Sequence, residues 1–242
     1  EPFEKKNFVK EARLKLAHLP KTKADKALDL LLRKNAAFDI GEKGPLGTFP
    51  EVVRINPLNK KIKIKEEKRR FYNPNVWTTA APEFEKLKKM EMIERTIWPN
   101  VPPANPVIAK RKGSNVVRVC QDFRRLNESL DNFYKPLPMK QELTDGFENF
   151  NGPVYLHGLD LKSCFHQFRL DPRDKKLTSF YLGDEVWNYT RWPFGIKCAP
   201  GMVQRHIGDV LLNPKLPMHP KTLRKLFIDD CLQINIKDFD VA

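Results

Sequence analysis

The sequence has few cysteines and no pattern among them. Cys120, Cys164, Cys198 and Cys231 lie far apart, form no CxxC or mixed Cys/His metal signature, and read as free thiols of a reducing compartment. The five histidines make no zinc pair. No apolar run is long enough to span a bilayer and no signal-peptide pattern opens the chain, so neither secretion nor membrane insertion is expected. Internal repeats and low-complexity tracts are absent as well. Acidic charge is short: Asp and Glu number 30 against 44 Lys and Arg, a net charge of +14 in 242 residues. Such an excess favours a polyanionic partner, nucleic acid ahead of membrane, with a merely basic soluble surface as an equal alternative on composition alone. The length allows one large domain or two small ones. The chain opens on Glu1 and not on Met, which reads as a piece of a longer product.

Residues 1–35 are charged and helix-prone, with Leu28, Leu31 and Leu32 on one apolar face, and are expected to form a solvated helical hairpin or linker. Gly41, Gly44, Pro45 and Gly47 break that pattern. Alternation in Val53-Arg54-Ile55 and Lys61-Ile62-Lys63-Ile64-Lys65 predicts extended strand; its lysines suit the wet face of an edge strand, with phosphate tracking as the alternative. The spacing of Phe84, Leu87, Met90 and Ile93 predicts a helix from Pro82 to Thr96, with Pro82 in its first turn. A hairpin is expected over residues 106–120, turning at Lys110–Asn115, and a second over 177–190, turning at Gly183-Asp184. Helices are predicted over Leu137–Phe150 and from Ala199 to Asn213. Many hairpins without βαβ alternation make this an α+β pattern with an antiparallel sheet.

In Phe227-Ile228-Asp229-Asp230 two carboxylates sit between apolar flanks, as at the turn between two short strands. Asp160 lies in a similar apolar setting. Three carboxylates at strand ends can hold a pair of hard divalent cations, the arrangement used for phosphoryl and nucleotidyl transfer. Taken singly each signal is ordinary, since Asp favours turns through its own backbone.

Their order is specific. Arg118-Val119-Cys120-Gln121-Asp122-Phe123-Arg124-Arg125-Leu126-Asn127, Lys135-Pro136-Leu137-Pro138, Leu159-Asp160-Leu161-Lys162-Ser163-Cys164-Phe165-His166-Gln167, Trp192-Pro193-Phe194-Gly195-Ile196-Lys197-Cys198-Ala199-Pro200 and Phe227-Ile228-Asp229-Asp230 together resemble the successive blocks of reverse transcriptases. The Pro-Phe-Gly block resembles that of gypsy-type LTR retrotransposons. The resemblance is strong over residues 100–235, looser over 36–99, and does not cover 1–35.

The resemblance implies the fingers and palm of a right-hand polymerase, with an antiparallel palm sheet and a truncated thumb. Residues 1–48 would be a helical lead-in and 49–242 the polymerase domain. The implied activity is RNA-directed DNA synthesis, with two Mg²⁺ (Mn²⁺ able to substitute) held by Asp160, Asp229 and Asp230. Arg111 and Arg118 would grip the incoming dNTP, with Lys110 or Lys112 as substitutes for Arg111. The backbone at Ser163, Cys164 and Phe165 would meet its phosphates, Phe165 would exclude a 2′-hydroxyl, and Phe194 and Gly195 would line the nucleotide. The implied partners are an RNA or DNA template–primer and the protease, RNase H and integrase of a Pol polyprotein, with oligomeric state left open. The implied location is a cytoplasmic virus-like particle, with the nucleus as a second compartment. Cys164 stands where Gly or Ala is usual, Lys197-Cys198 replaces a more polar pair, and the chain stops soon after the aspartates, so weak, non-processive activity is expected. The alternatives are a degenerate or co-opted fragment that binds nucleic acid without catalysis, and an RNA-dependent RNA polymerase, against which Phe165 speaks.

Overall fold

The structure is a computed structural model, and it describes residues 5–34, 47–97, 101–110, 117–131, 137–152, 154–213, 215 and 222–236. The chain divides into two compact units, Glu1–Gly47 and Thr48–Ala242.

The first unit is a helical hairpin of α1 (Lys5–Leu16) and α2 (Lys21–Arg33). Phe8 and Ala12 of α1 and Leu28 of α2 are buried, so the apolar faces are used up where the helices pack.

The second unit mixes short strands and helices. Strand β1 (Val52–Val53) is followed by α3 (Pro74–Lys89), β2 (Ile93–Thr96), β3 (Pro106–Lys110), β4 (Val117–Gln121), α4 (Arg124–Ser129) and α5 (Lys140–Thr144). Then come β5 (Val154–Asp160), β6 (Arg169–Leu170), α6 (Pro172–Lys175), β7 (Phe180–Leu182), β8 (Glu185–Tyr189), α7 (Ala199–Leu211), β9 (Thr222–Phe227) and β10 (Asp230–Ile236). Two three-stranded antiparallel sheets, β5-β10-β9 and β2-β8-β7, accompany the antiparallel pair β3-β4 and the short parallel pair β1-β6. One core joins them, centred on the fully buried Phe84, Phe168, Phe180, Trp192, Met202 and Val203.

Both predicted hairpins form, although the Arg111–Val116 turn lies outside the described residues. Three expectations are corrected. The helix starts at Pro74 and not at Pro82, because Asn73 caps it by accepting from the Asn75 N–H at 2.9 Å and Pro74 takes the first position. Pro82 is an exposed interior proline that leaves one carbonyl without its helical donor. That helix ends at Lys89 and not at Thr96: Glu91, with φ 52°, takes the left-handed position, the Met92 N–H returns to the Leu87 carbonyl, and Ile93 enters a strand.

The Lys61–Lys65 segment keeps alternating burial but has no strand partner among the described residues. The Ser129 hydroxyl satisfies the Lys63 carbonyl at 2.7 Å, and further along the Asn105 amide satisfies the Lys68 carbonyl at 3.0 Å. The long helix expected over Leu137–Phe150 is instead α5 and a separate 3₁₀ turn, Phe147–Asn149, parted by Gly146 at φ 90°.

Candidate active site

Asp160 ends β5 and Asp230 opens β10, directly opposite each other in the ladder. The Leu161 N–H donates to the Asp229 carbonyl at 3.2 Å, one residue beyond this pair on each strand. Asp160 and Asp230 are therefore a non-hydrogen-bonded pair, the kind that brings Cα atoms to about 4.5 Å and side chains closest. Both are exposed; Asp229, in the turn, is half-buried.

The turn itself is strained. Ile228 has φ 58°, a left-handed conformation that a β-branched residue adopts at a cost of about 1–3 kcal/mol. Gln204 of α7 offsets that strain from both sides. Its Oε1 accepts from the Ile228 N–H at 2.7 Å and its Nε2 donates to the Leu226 carbonyl at 3.0 Å. Sequence reasoning missed Gln204; its signal is one polar residue beside Met202, Val203 and Ile207 on the buried side of α7.

Among the described residues no three Asp, Glu, His or Cys side chains converge as a metal cage. The donor chemistry of the three aspartates is nevertheless all carboxylate, which fits a hard dication that also takes oxygens from substrate and water.

After β5 the chain turns through Ser163, at φ 47°, into the 3₁₀ turn Cys164–Gln167. The Cys164 N–H donates to the Leu161 carbonyl at 3.1 Å. Burial pushes the Cys164 thiol up to about 12, and the Asp229 and Asp160 carboxylates add to the shift, which puts both within electrostatic reach of the sulfur. Such a thiol stays protonated and unreactive.

Phe165 meets Phe194 edge to face, with centroids 5.3 Å apart. Phe194 in turn meets the buried His166 ring at 4.6 Å. The His166 Nδ1–H donates to the Trp192 carbonyl at 2.9 Å, and burial lowers its pKa so that the ring stays neutral. Behind it Tyr189 lies parallel to the ring, and its hydroxyl accepts from Gln121 Nε2 at 3.0 Å. His166 and Gln121 belong to the quoted blocks, but no role was foreseen for either.

The blocks are tied to one another. Gly195 sits at φ 92°, where a side chain would be strained. Asn127 clamps this loop, donating to the Gly195 carbonyl at 2.8 Å and accepting from the Lys197 N–H at 2.8 Å. Asp122, buried at the end of β4, accepts from Arg124 Nε at 2.8 Å and from Arg70 Nη2 at 2.8 Å. Those bonds, Arg124's first, hold its carboxyl well below the usual range. Arg118 is exposed on β4 opposite Ala109. Arg111 lies outside the described residues, as do Lys112 and the Lys110 side chain.

The antiparallel sheet presents Asp229 and Asp230 at its β9–β10 turn and Asp160 at the facing strand end. The sequence pattern of the reverse transcriptase (RNA-dependent DNA polymerase) family matches residues 108–235, and the chain belongs to that family.

The chain is 26% identical over 210 residues to the retrovirus-related Pol polyprotein from transposon opus of Drosophila melanogaster, covering 81% of this chain and 20% of that protein. It is 34% identical over 94 residues to the corresponding polyprotein from transposon gypsy of the same fly, covering 39% of this chain and 9% of that protein. Among solved structures it is similar in fold to the foamy viral protease-reverse transcriptase in complex with RNA/DNA hybrid. The TM-score is 0.77 at 14% identity, over 100% of this chain and 31% of that one. The chain thus spans a fifth or less of the two polyproteins. Among the described residues no helix is long and apolar enough to cross a membrane.

Proposed function

We propose that this chain carries the fingers and palm of an RNA-directed DNA polymerase from a gypsy-type retrotransposon Pol polyprotein. The observation that carries the reading is the close Asp160–Asp230 pair beside Asp229 in a turn braced by Gln204. In this reading β3-β4 belongs to the fingers and β5-β10-β9 is the palm sheet. Asp160, Asp229 and Asp230 would together hold the two Mg²⁺. When bound, the ions would acidify the primer 3′-hydroxyl and neutralise the departing pyrophosphate.

The chain's own residues would position the reactants. Arg118 is exposed and free to meet the triphosphate, and guanidinium suits bidentate phosphate contact; Arg111 would join it from the hairpin turn. Backbone N–H groups at Ser163 and Phe165 would meet the phosphates, whereas that of Cys164 is already donated to the Leu161 carbonyl at 3.1 Å. Phe165, propped by Phe194, would lie under the sugar and exclude a 2′-hydroxyl. The primer 3′-oxygen would then bond to the α-phosphorus as the bond to the β-phosphate breaks. A template–primer duplex, and further Pol domains in a virus-like particle, are the partners this reading calls for.

Addition of one nucleotide to a primed RNA template tests it. The reading expects addition with dNTP and not rNTP. Addition with rNTP would favour an RNA polymerase. Salt-sensitive binding without any addition would favour a co-opted fragment, although the intact aspartates speak against decay.

A further inference from the structure

Half of the chain's excess positive charge sits in the α1–α2 hairpin. Residues 5–34 hold ten Lys and Arg against three Asp and Glu, a net +7 of the chain's +14. Lys10, Arg13, Lys15, Lys21, Lys26, Arg33 and Lys34 are all exposed. Helical spacing puts most of them on the outer faces, Lys15 and Lys21 excepted. Lys10 and Arg13 of α1 are turned from the side that buries Phe8 and Ala12. Lys23, Lys26, Arg33 and Lys34 stand on the side of α2 turned from buried Leu28.

Helix stability does not account for this placement. Neither helix has an acidic residue in its first turn; α1 opens on Lys5-Lys6 and α2 on Lys21 and Lys23. Cations there oppose the helix dipole and cost stability. Among the described residues Asp29 pairs with Arg33 at 2.9 Å, and Glu11 and Asp25 are exposed.

We infer that the α1–α2 hairpin is a nucleic-acid-binding element that grips the phosphodiester backbone without reading sequence. A basic helix that binds a membrane lays a free apolar face into the lipid. Here Phe8, Ala12 and Leu28 are buried, and among the described residues of the hairpin Leu14 and Leu30 are the large apolar side chains left exposed. What the hairpin offers is a set of exposed cations spread along two packed helices, which suits a polyanion. The inference does not depend on catalysis by the second unit.

The test is the salt dependence of binding by the full chain to a labelled RNA/DNA hybrid of arbitrary sequence. It compares wild type with a variant carrying Lys10→Gln, Arg13→Gln, Lys21→Gln, Lys26→Gln and Lys34→Gln. The magnitude of the log–log salt slope is expected to fall by about 3–4, with affinity at least about tenfold weaker between about 50 and 200 mM salt. Helical content should be unchanged, and a variant exchanging Lys and Arg at the same positions should bind like wild type. An unchanged slope overturns the inference. So does a variant that loses binding to phosphatidylserine vesicles but not to the hybrid. Single-nucleotide addition is read in the same samples. A lowered slope without addition upholds the hairpin and sinks the polymerase reading; addition with an unchanged slope does the reverse.

Discussion

Asp160 and Asp230 face each other as a non-hydrogen-bonded pair at the open end of the β5–β10 ladder. Like charges placed directly opposite in a sheet cost stability, by about 0.2–1 kcal/mol. The arrangement is therefore poor for folding and good for gathering cations. Asp160→Asn should raise the unfolding free energy by about 0.5 kcal/mol in chelator. Mg²⁺ should then raise the melting temperature of wild type and leave the variant's unchanged. Equal responses of the two proteins would count against a cation site here.

The brace on the turn is a second point of leverage. Gln204→Leu leaves the Ile228 N–H and the Leu226 carbonyl without their partner, and should cost about 1–3 kcal/mol in denaturant unfolding. Gln204→Glu keeps the acceptor and loses the donor, so its loss should be intermediate. Nucleotide addition should fall in the same order. A leucine variant as stable as wild type would mean that the turn holds its left-handed Ile228 by other means.

Patterns with a short period were legible in the sequence. The Phe180–Tyr189 hairpin, the buried Met202, Val203 and Ile207 of α7, and the apolar flanks of the aspartate turn all follow from local alternation or helical spacing. What was not legible depends on distant partners. Lys61–Lys65 alternates like a strand, yet among the described residues no strand pairs with it, and Ser129 bonds the Lys63 carbonyl across 66 positions of chain. Pro82 was taken for a helix start because interior proline is costly, whereas the packing of Ala80 and Phe84 carries the helix through it. Asp160 was placed by resemblance, but its register with Asp230 is a property of the folded ladder. Gln204 and Asn127 act on backbone atoms, and sequence patterns record those poorly.

Asp122 supplies a pH signature. Its folded pKa is depressed by Arg124 and then Arg70, so its stabilising contribution is complete above the ordinary carboxylate pKa and drains away as pH falls through that value toward the folded one. Asp122→Asn should be destabilised by about 1–3 kcal/mol near neutrality. The gap from wild type should close as pH drops below about 4. A gap independent of pH would assign the effect to packing in place of charge.

The aromatic pair should set sugar selectivity. Phe165→Val is expected to lower the preference for dNTP over rNTP by about tenfold or more, the scale of one 1.4 kcal/mol contact. Phe194→Ala should give a smaller effect in the same direction, because it removes the ring propping Phe165 at 5.3 Å. An unchanged preference in Phe165→Val would remove this residue from the nucleotide site.

The most direct measurement is single-nucleotide addition by Asp229→Asn beside wild type, with template–primer binding measured on both. The account predicts that addition by the variant is abolished in Mg²⁺ and in Mn²⁺ while binding stays within about threefold, a difference of under 1 kcal/mol. Addition at the wild-type rate by Asp229→Asn would contradict it.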